Sequence, residues 1–205
     1  MNKIVLDIET KNLFSDVGGK ENLTKLLLSV AGVYSYATDE FLTFTEAEMP
    51  ALEKMLQKTN LIIGFNTNHF DLPILQKYLN VDLSKISSFD IMDEVVSLVG
   101  HRLSLDDLVS NTLGKKKSAN GLMAVQYWRE GRMDELKKYC LDDVKLTRDL
   151  YEHGLKNGEM KFLARDANLP YVKTLKINWA NRGFSAKGGS ASGGKIKTTW
   201  TPSLF

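Results

Sequence analysis

The run IVLDIET, residues 4–10, sets two carboxylates, Asp7 and Glu9, one residue apart at the end of an otherwise apolar segment. Residues two apart in a strand point the same way. Both acids therefore leave one face of the strand, close enough to repel each other. Any fold containing this strand must bring positive charge to that face or lose stability there. Residues 3–8 read as a fully buried strand, so the acids stand where a strand emerges from the core.

Two more strands are predicted near 27–36 (LLSVAGVYSY) and 40–44 (EFLTF), and their close spacing favours an antiparallel hairpin. Thr45 is placed to cap a helix over 46–58, with Glu48 in its first turn. LIIGF (61–65) is apolar throughout and reads as a central strand. A helix begins at 71–73, where Pro73 suits the first turn. Ser88 to Asp90 form a short strand or turn, and helices follow at 91–99, at 104–113 with Ser104 as cap, and at 121–130. The longest helix is predicted over 133–152, with His153 and Gly154 marking its end. Residues 160–164 and 171–178 read as extended. The Gly/Ser stretch AKGGSASGGK reads as a flexible linker. The chain therefore divides into a domain at 1–184 and a linker with tail at 185–205. Strands followed by mostly helices make an α/β layered fold.

Two further segments carry carboxylates of interest. In GFNTNHFDLPIL, Asp71 stands between a buried strand and a helix. It fits a helix N-cap, yet Asn66, Asn68 and His69 crowd the same loop with more polar chemistry than a cap requires. In LKKYCLDDVKLTRDL (136–150), Leu136, Cys140, Leu146, Thr147 and Leu150 fall on one sector of a helix. Asp142 goes with the charged side, whereas Asp143 lies within the apolar stripe and Tyr139, four residues earlier, shares its face. A carboxylate facing a core must be paired, hydrogen-bonded or bound to metal.

Asp7, Glu9, Asp71 and Asp143 together form an all-oxygen donor set, which suits hard divalent cations such as Mg²⁺ or Mn²⁺. The three histidines, at 69, 101 and 153, lack zinc-site spacing, and the single cysteine, Cys140, rules out an intrachain disulfide and a cysteine cluster. That cysteine usage fits a reducing cytoplasm. No leader pattern and no membrane span are read from the sequence, and a net charge of +2 leaves any nucleic-acid partner to local charge.

These residues resemble the motifs of the DEDD superfamily of metal-dependent 3′–5′ exonucleases, which have a ribonuclease H-like fold. LDIET is similar to the first motif, NTNHFD (66–71) to the second, and YCLDD (139–143) to the Tyr-x-x-x-Asp third motif of the tyrosine subclass. The sister subclass would carry His at the position of Lys138. SFDIMDEV and the stretch from Leu113 to Val144 resemble more narrowly the stand-alone exonucleases related to the proofreading domain of family B DNA polymerases. The resemblance implies a mixed sheet, an antiparallel hairpin plus parallel strands, flanked by helices. It implies two divalent ions, Mg²⁺ or Mn²⁺: Asp7 bridging both, Glu9 and Asp143 completing one site, Asp71 holding the second ion. Tyr139 would orient the attacking water, since a phenol is a poor base at neutral pH.

On the same resemblance, Asn66 and Phe70 are candidates to hold the terminal nucleotide, and Lys116 and Lys117, with Lys115, to attract the phosphate backbone. Asp90 and Asp107 are read as helix caps or exposed acids. The expected substrate is the 3′ end of single-stranded DNA. Alternatives are RNA 3′ ends, or a non-catalytic nucleic-acid-binding module tethered to a sliding clamp. The ending TPSLF loosely resembles clamp-binding peptides, with Thr201 where such peptides carry Gln.

Overall fold

A computed structural model describes residues 1–116, 121–166 and 169–179, with backbone only at 165 and 166. The expected linker and tail at 185–205, and the domain boundary at 184, lie outside the described residues. The main sheet has five strands: β1 (Lys3–Thr10), β2 (Leu28–Ser35), β3 (Glu40–Thr45), β4 (Leu61–Gly64) and β5 (Ser87–Asp90), in the order β3-β2-β1-β4-β5. β1–β2 and β2–β3 pair antiparallel, while β4 pairs parallel with both β1 and β5. This is the mixed sheet expected from the sequence. β4 lies inside it, and Ser88 to Asp90 prove to belong to a parallel edge strand.

Alternation along β1 sorts its side chains between two cores. Ile4, Leu6 and Ile8 join Ile62, Leu52, Leu56 and Ile74 on one face. That face is covered by α1 (Met49–Leu56) and α2 (Asp71–Leu75). α1 has eight residues, too few to hold a helix alone in water. Burial of Met49, Leu52 and Leu56, worth about 1.5–3 kcal/mol each, holds it on the sheet. Thr45 stands at the N-cap position, as expected, and its N–H donates to Glu48 Oε2 at 2.8 Å. The helical run expected at 46–58 is divided, with a 3₁₀ turn over Glu46–Glu48 before α1.

On the other face, Val5 meets Leu61, Ile63 and Phe89 beneath α3 (Ile91–Val99), α4 (Leu105–Leu113) and α6 (Met133–Asn157). Asp7 and Glu9 share the side of β1 that carries Val5, so the pleat aims them at α6. Ser104 caps α4, accepting from the Asp107 N–H at 3.0 Å. α5 (Gly121–Arg129) packs on α6 through Ala124, in a small core with Leu136 and Tyr139.

α6 runs past its expected end. Gly154 is a buried helical residue, and Gly158, at φ 64°, is the left-handed residue that stops the helix. Gly154 is needed for contact: a Cβ there would lie 2.3 Å from a ring carbon of Trp179. The extended segments near 160 and 171 form a separate antiparallel hairpin, β6 (Glu159–Asp166) and β7 (Leu169–Lys176). Among the described residues, no helix is long and apolar enough to cross a membrane.

Candidate metal centre

The first and third motifs meet. Asp7, Glu9 and Asp143 each offer a carboxylate oxygen, and these oxygens lie within 4.8 Å of one another. Asp143 is buried and Asp7 is half-buried. Asp143 stands on the buried face of α6 with Tyr139, Cys140, Leu146 and Leu150, so the stripe read from the sequence is the surface that packs on the sheet. Tyr139 is one helical turn from Asp143 and buried beside Val30 and Ala124.

α6 comes this close because of one residue on the neighbouring strand. Gly32 on β2 is paired with Asp7, and a Cβ there would lie 2.8 Å from Cys140 Sγ and 3.0 Å from Val144 Cγ2. Cys140 is a packing residue, as expected, with Sγ 3.6 Å from the Asp7 carbonyl and 3.8 Å from Asp7 Oδ2. Burial pushes its thiol well above the ordinary range, and the charges of Asp7, Glu9, Asp143 and Asp71 push it the same way.

Asp71 lies beside this group, but outside the set of three. Asp71 is not the N-cap the sequence suggested: Phe70 holds that position, Asp71 is the first residue of α2, and its Oδ1 accepts from the Ile8 N–H on β1 at 2.9 Å. Burial raises its pKa to about 7; hydrogen bonds from the backbone oppose the shift, and the charges of Asp90 and Asp143 add to it. A folded-state pKa above the unfolded value means the folded chain binds the extra proton. This group therefore costs stability progressively as pH rises from about 4 through 7, and the cost is complete above that. Asp71→Asn is expected to stabilise the chelator-treated protein at pH 8 by on the order of 2–4 kcal/mol, and at pH 5 by about a third of that. Urea melts at the two pH values check this; an equal loss of stability at both would show that Asp71 serves only as a hydrogen-bond acceptor.

The second motif is held by Asp90, a carboxylate read from the sequence as a helix cap or an exposed acid. Asp90 does cap α3, accepting from the Met92 N–H at 2.9 Å. It also accepts from the N–H groups of Asn66 at 2.7 Å and Asn68 at 2.9 Å, pinning the loop before Asp71. Asn66 adopts a left-handed backbone there, φ 63°, and its Oδ1 accepts from Arg102 Nη2 at 2.6 Å. Asp93 holds the other side of the loop, bonding Asn68 Nδ2 and His69 Nε2, each at 2.8 Å. Phe70 is half-buried with its ring edge-on to Phe14, centroids 6.0 Å apart. Asp107 accepts from the Leu163 N–H at 3.0 Å and ties α4 to β6.

Arg102 and Asp93 were not read as site residues. Each acts through a partner 24 to 36 positions away, so no local pattern marks them. Of the basic run after Gly114, Lys115 pairs with Asp149 on α6 at 2.6 Å, Lys116 is exposed, and Lys117 lies outside the described residues.

The donor set fits hard divalent cations: three carboxylates with oxygens in mutual reach, on two elements fixed by close packing, and no histidine or thiolate in the group.

Comparison with known proteins agrees with this architecture. A DNA-directed DNA polymerase of Escherichia phage T7 is 28% identical over 161 residues, covering 74% of this chain and 21% of the phage protein. The family B DNA polymerase of the hyperthermophilic archaeon Pyrobaculum calidifontis superposes with a TM-score of 0.58 at 18% identity, covering 76% of this chain and 24% of that one, which is a likeness of fold. The chain therefore spans about a fifth to a quarter of the length of these polymerases. A family model described as the RNase_H superfamily matches residues 4–154. Because that match begins on β1, ends on α6 and takes in every acid described above, the chain belongs to the RNase H superfamily.

Proposed function

We propose that this chain is a metal-dependent 3′–5′ exonuclease of the tyrosine subclass, hydrolysing phosphodiester bonds at the end of single-stranded DNA. The observation that carries the reading is the meeting of Asp7 and Glu9 on β1 with Asp143 on α6, more than 130 residues later in the chain. Membership of the RNase H superfamily and the partial likeness to two DNA polymerases support it. Asp7, Glu9 and Asp143 would hold divalent ions, Mg²⁺ or Mn²⁺, with Asp71 completing the set. Bound there, such ions supply an activated water and neutralise charge on the leaving 3′ oxygen.

The chain's own residues do the rest. Tyr139, one turn from Asp143, donates a hydrogen bond that orients the attacking water. The Ile8 N–H fixes Asp71 against β1 and keeps its carboxylate at the same strand end. Asn66, held by Arg102, and Phe70, braced by Phe14, receive the terminal nucleotide. Lys116, exposed after Gly114, would attract the phosphate backbone.

The test uses 5′-labelled single-stranded DNA and matched RNA, with Mg²⁺, Mn²⁺ or chelator, beside Asp7→Ala. The expected result is a ladder shortened from the 3′ end, faster on DNA, and absent with chelator and in the variant. No shortening under any metal, or equal shortening by Asp7→Ala, would overturn the reading; faster shortening of RNA would reassign the substrate.

A further inference from the structure

The proposed chemistry leaves the β6–β7 hairpin without a task. β6 returns along α4, where the Lys161 N–H donates to Thr112 Oγ1 at 2.9 Å and the Leu163 N–H to Asp107. Pairing sets Tyr171 opposite Ala164 and Lys173 opposite Phe162, so all four side chains share one face of the hairpin. That face is one wall of a groove of about 630 Å³. The other wall is the end of α3 and the turn after it, with Leu98, His101 and Arg102.

The chemistry of this groove is selective. Among the described residues lining it, His101, Arg102 and Lys173 are basic and none is acidic. Phe162 is buried at its base, while Tyr171 is 42% exposed. Of the eight large hydrophobic side chains exposed among the described residues, Leu98, Leu163 and Tyr171 line the groove, while Leu169 and Val172 lie elsewhere on the hairpin. Arg102 ties the groove to the second-motif loop: it lines the groove and donates to Asn66 Oδ1, on the loop that ends at Asp71.

Basic side chains beside an accessible aromatic ring match a single nucleic-acid strand, with phosphates for the cations and a base face for the ring. An apolar peptide would leave the cations without counter-charges. We propose that this groove binds a single strand on the 5′ side of the end held at the acids, Arg102 and Lys173 meeting phosphates and Tyr171 stacking on a base. This rests on reading the acid group as a strand-cleaving centre.

Fluorescence anisotropy with labelled oligothymidylates, in chelator so that no strand is cut, tests the groove by itself. One probe is short, about four nucleotides, and one long, about twenty, bracketing common single-strand site sizes. Wild-type protein is expected to bind the long probe more tightly than the short one. Tyr171→Ala should weaken the long probe about tenfold. Lys173→Gln should flatten the slope of log Kd against log salt by about 0.7. Long-probe affinity and slope unchanged in both variants would overturn the proposal. So would a change confined to self-association in sedimentation, which would make this face a contact between copies. A wild-type protein that binds as expected yet shortens no strand would overturn the exonuclease reading and leave the groove standing.

Discussion

Asp143→Asn is expected to lower hydrolysis about 10³-fold or more and to remove the stabilisation that divalent ions give the folded chain. Asp143 is buried on the sheet-facing side of α6, with a carboxylate oxygen within 4.8 Å of those of Asp7 and Glu9. At that spacing, two like charges repel by on the order of 3 kcal/mol, even with considerable screening. Cations are therefore favoured there, and their binding stabilises the folded state over the unfolded one. At one hundred times the dissociation constant that linkage is worth about 2.7 kcal/mol. For a chain of this size it corresponds to about 5–10 °C in Tm. Wild-type protein should show that rise on adding Mn²⁺, and Asp143→Asn should not. A ligand worth about 4 kcal/mol to the transition state accounts for the rate loss. Thermal melts with and without Mn²⁺, beside the ladder assay, check both parts. A variant as active as wild type, with the same metal-induced rise, would remove Asp143 from the centre.

Gly32→Val should nearly abolish activity although Gly32 holds no metal and carries no reactive group. The first atom of any side chain there meets Cys140 Sγ at 2.8 Å and Val144 Cγ2 at 3.0 Å. Neither neighbour can move freely, because both are buried between α6 and the sheet. α6 must back away, taking Tyr139 and Asp143 with it. Overpacking of this kind costs about 1–3 kcal/mol, and a misplacement near 1 Å costs about 10²-fold in rate. Gly121→Ala is the control, since a Cβ at Gly121 meets nothing within 4 Å. Tm and ladder rates together separate the outcomes. Wild-type activity and stability in Gly32→Val would show that the spacing of α6 from the sheet is not what sets the site.

The residues that could be read from the sequence are those whose neighbours are local. Strand alternation put Asp7 and Glu9 on one face, and helical winding put Asp143 in an apolar stripe; both patterns survive folding because the sheet and α6 bury the faces they define. The β2–β3 hairpin was legible from its short connection. The end of α6 was not. Gly154 beside His153 resembles a stop, but Trp179 from beyond the second hairpin strand uses that glycine as a contact surface. Asp71 looked like a cap because its true partner, the Ile8 N–H, is 63 residues earlier. Arg102 carried no signal at all, since its role depends on the left-handed turn at Asn66. Even Gly32, the residue that admits α6, is only a glycine inside an apolar strand until the helix is laid against it.

Diffraction from crystals soaked in Mn²⁺, recorded near the manganese absorption edge, tests the central claim most directly. The expected result is an anomalous peak about 2 Å from carboxylate oxygens of Asp7, Glu9 and Asp143, absent from Asp7→Ala crystals. Saturating Mn²⁺ with no density between those three acids, or manganese bound only elsewhere, would contradict it.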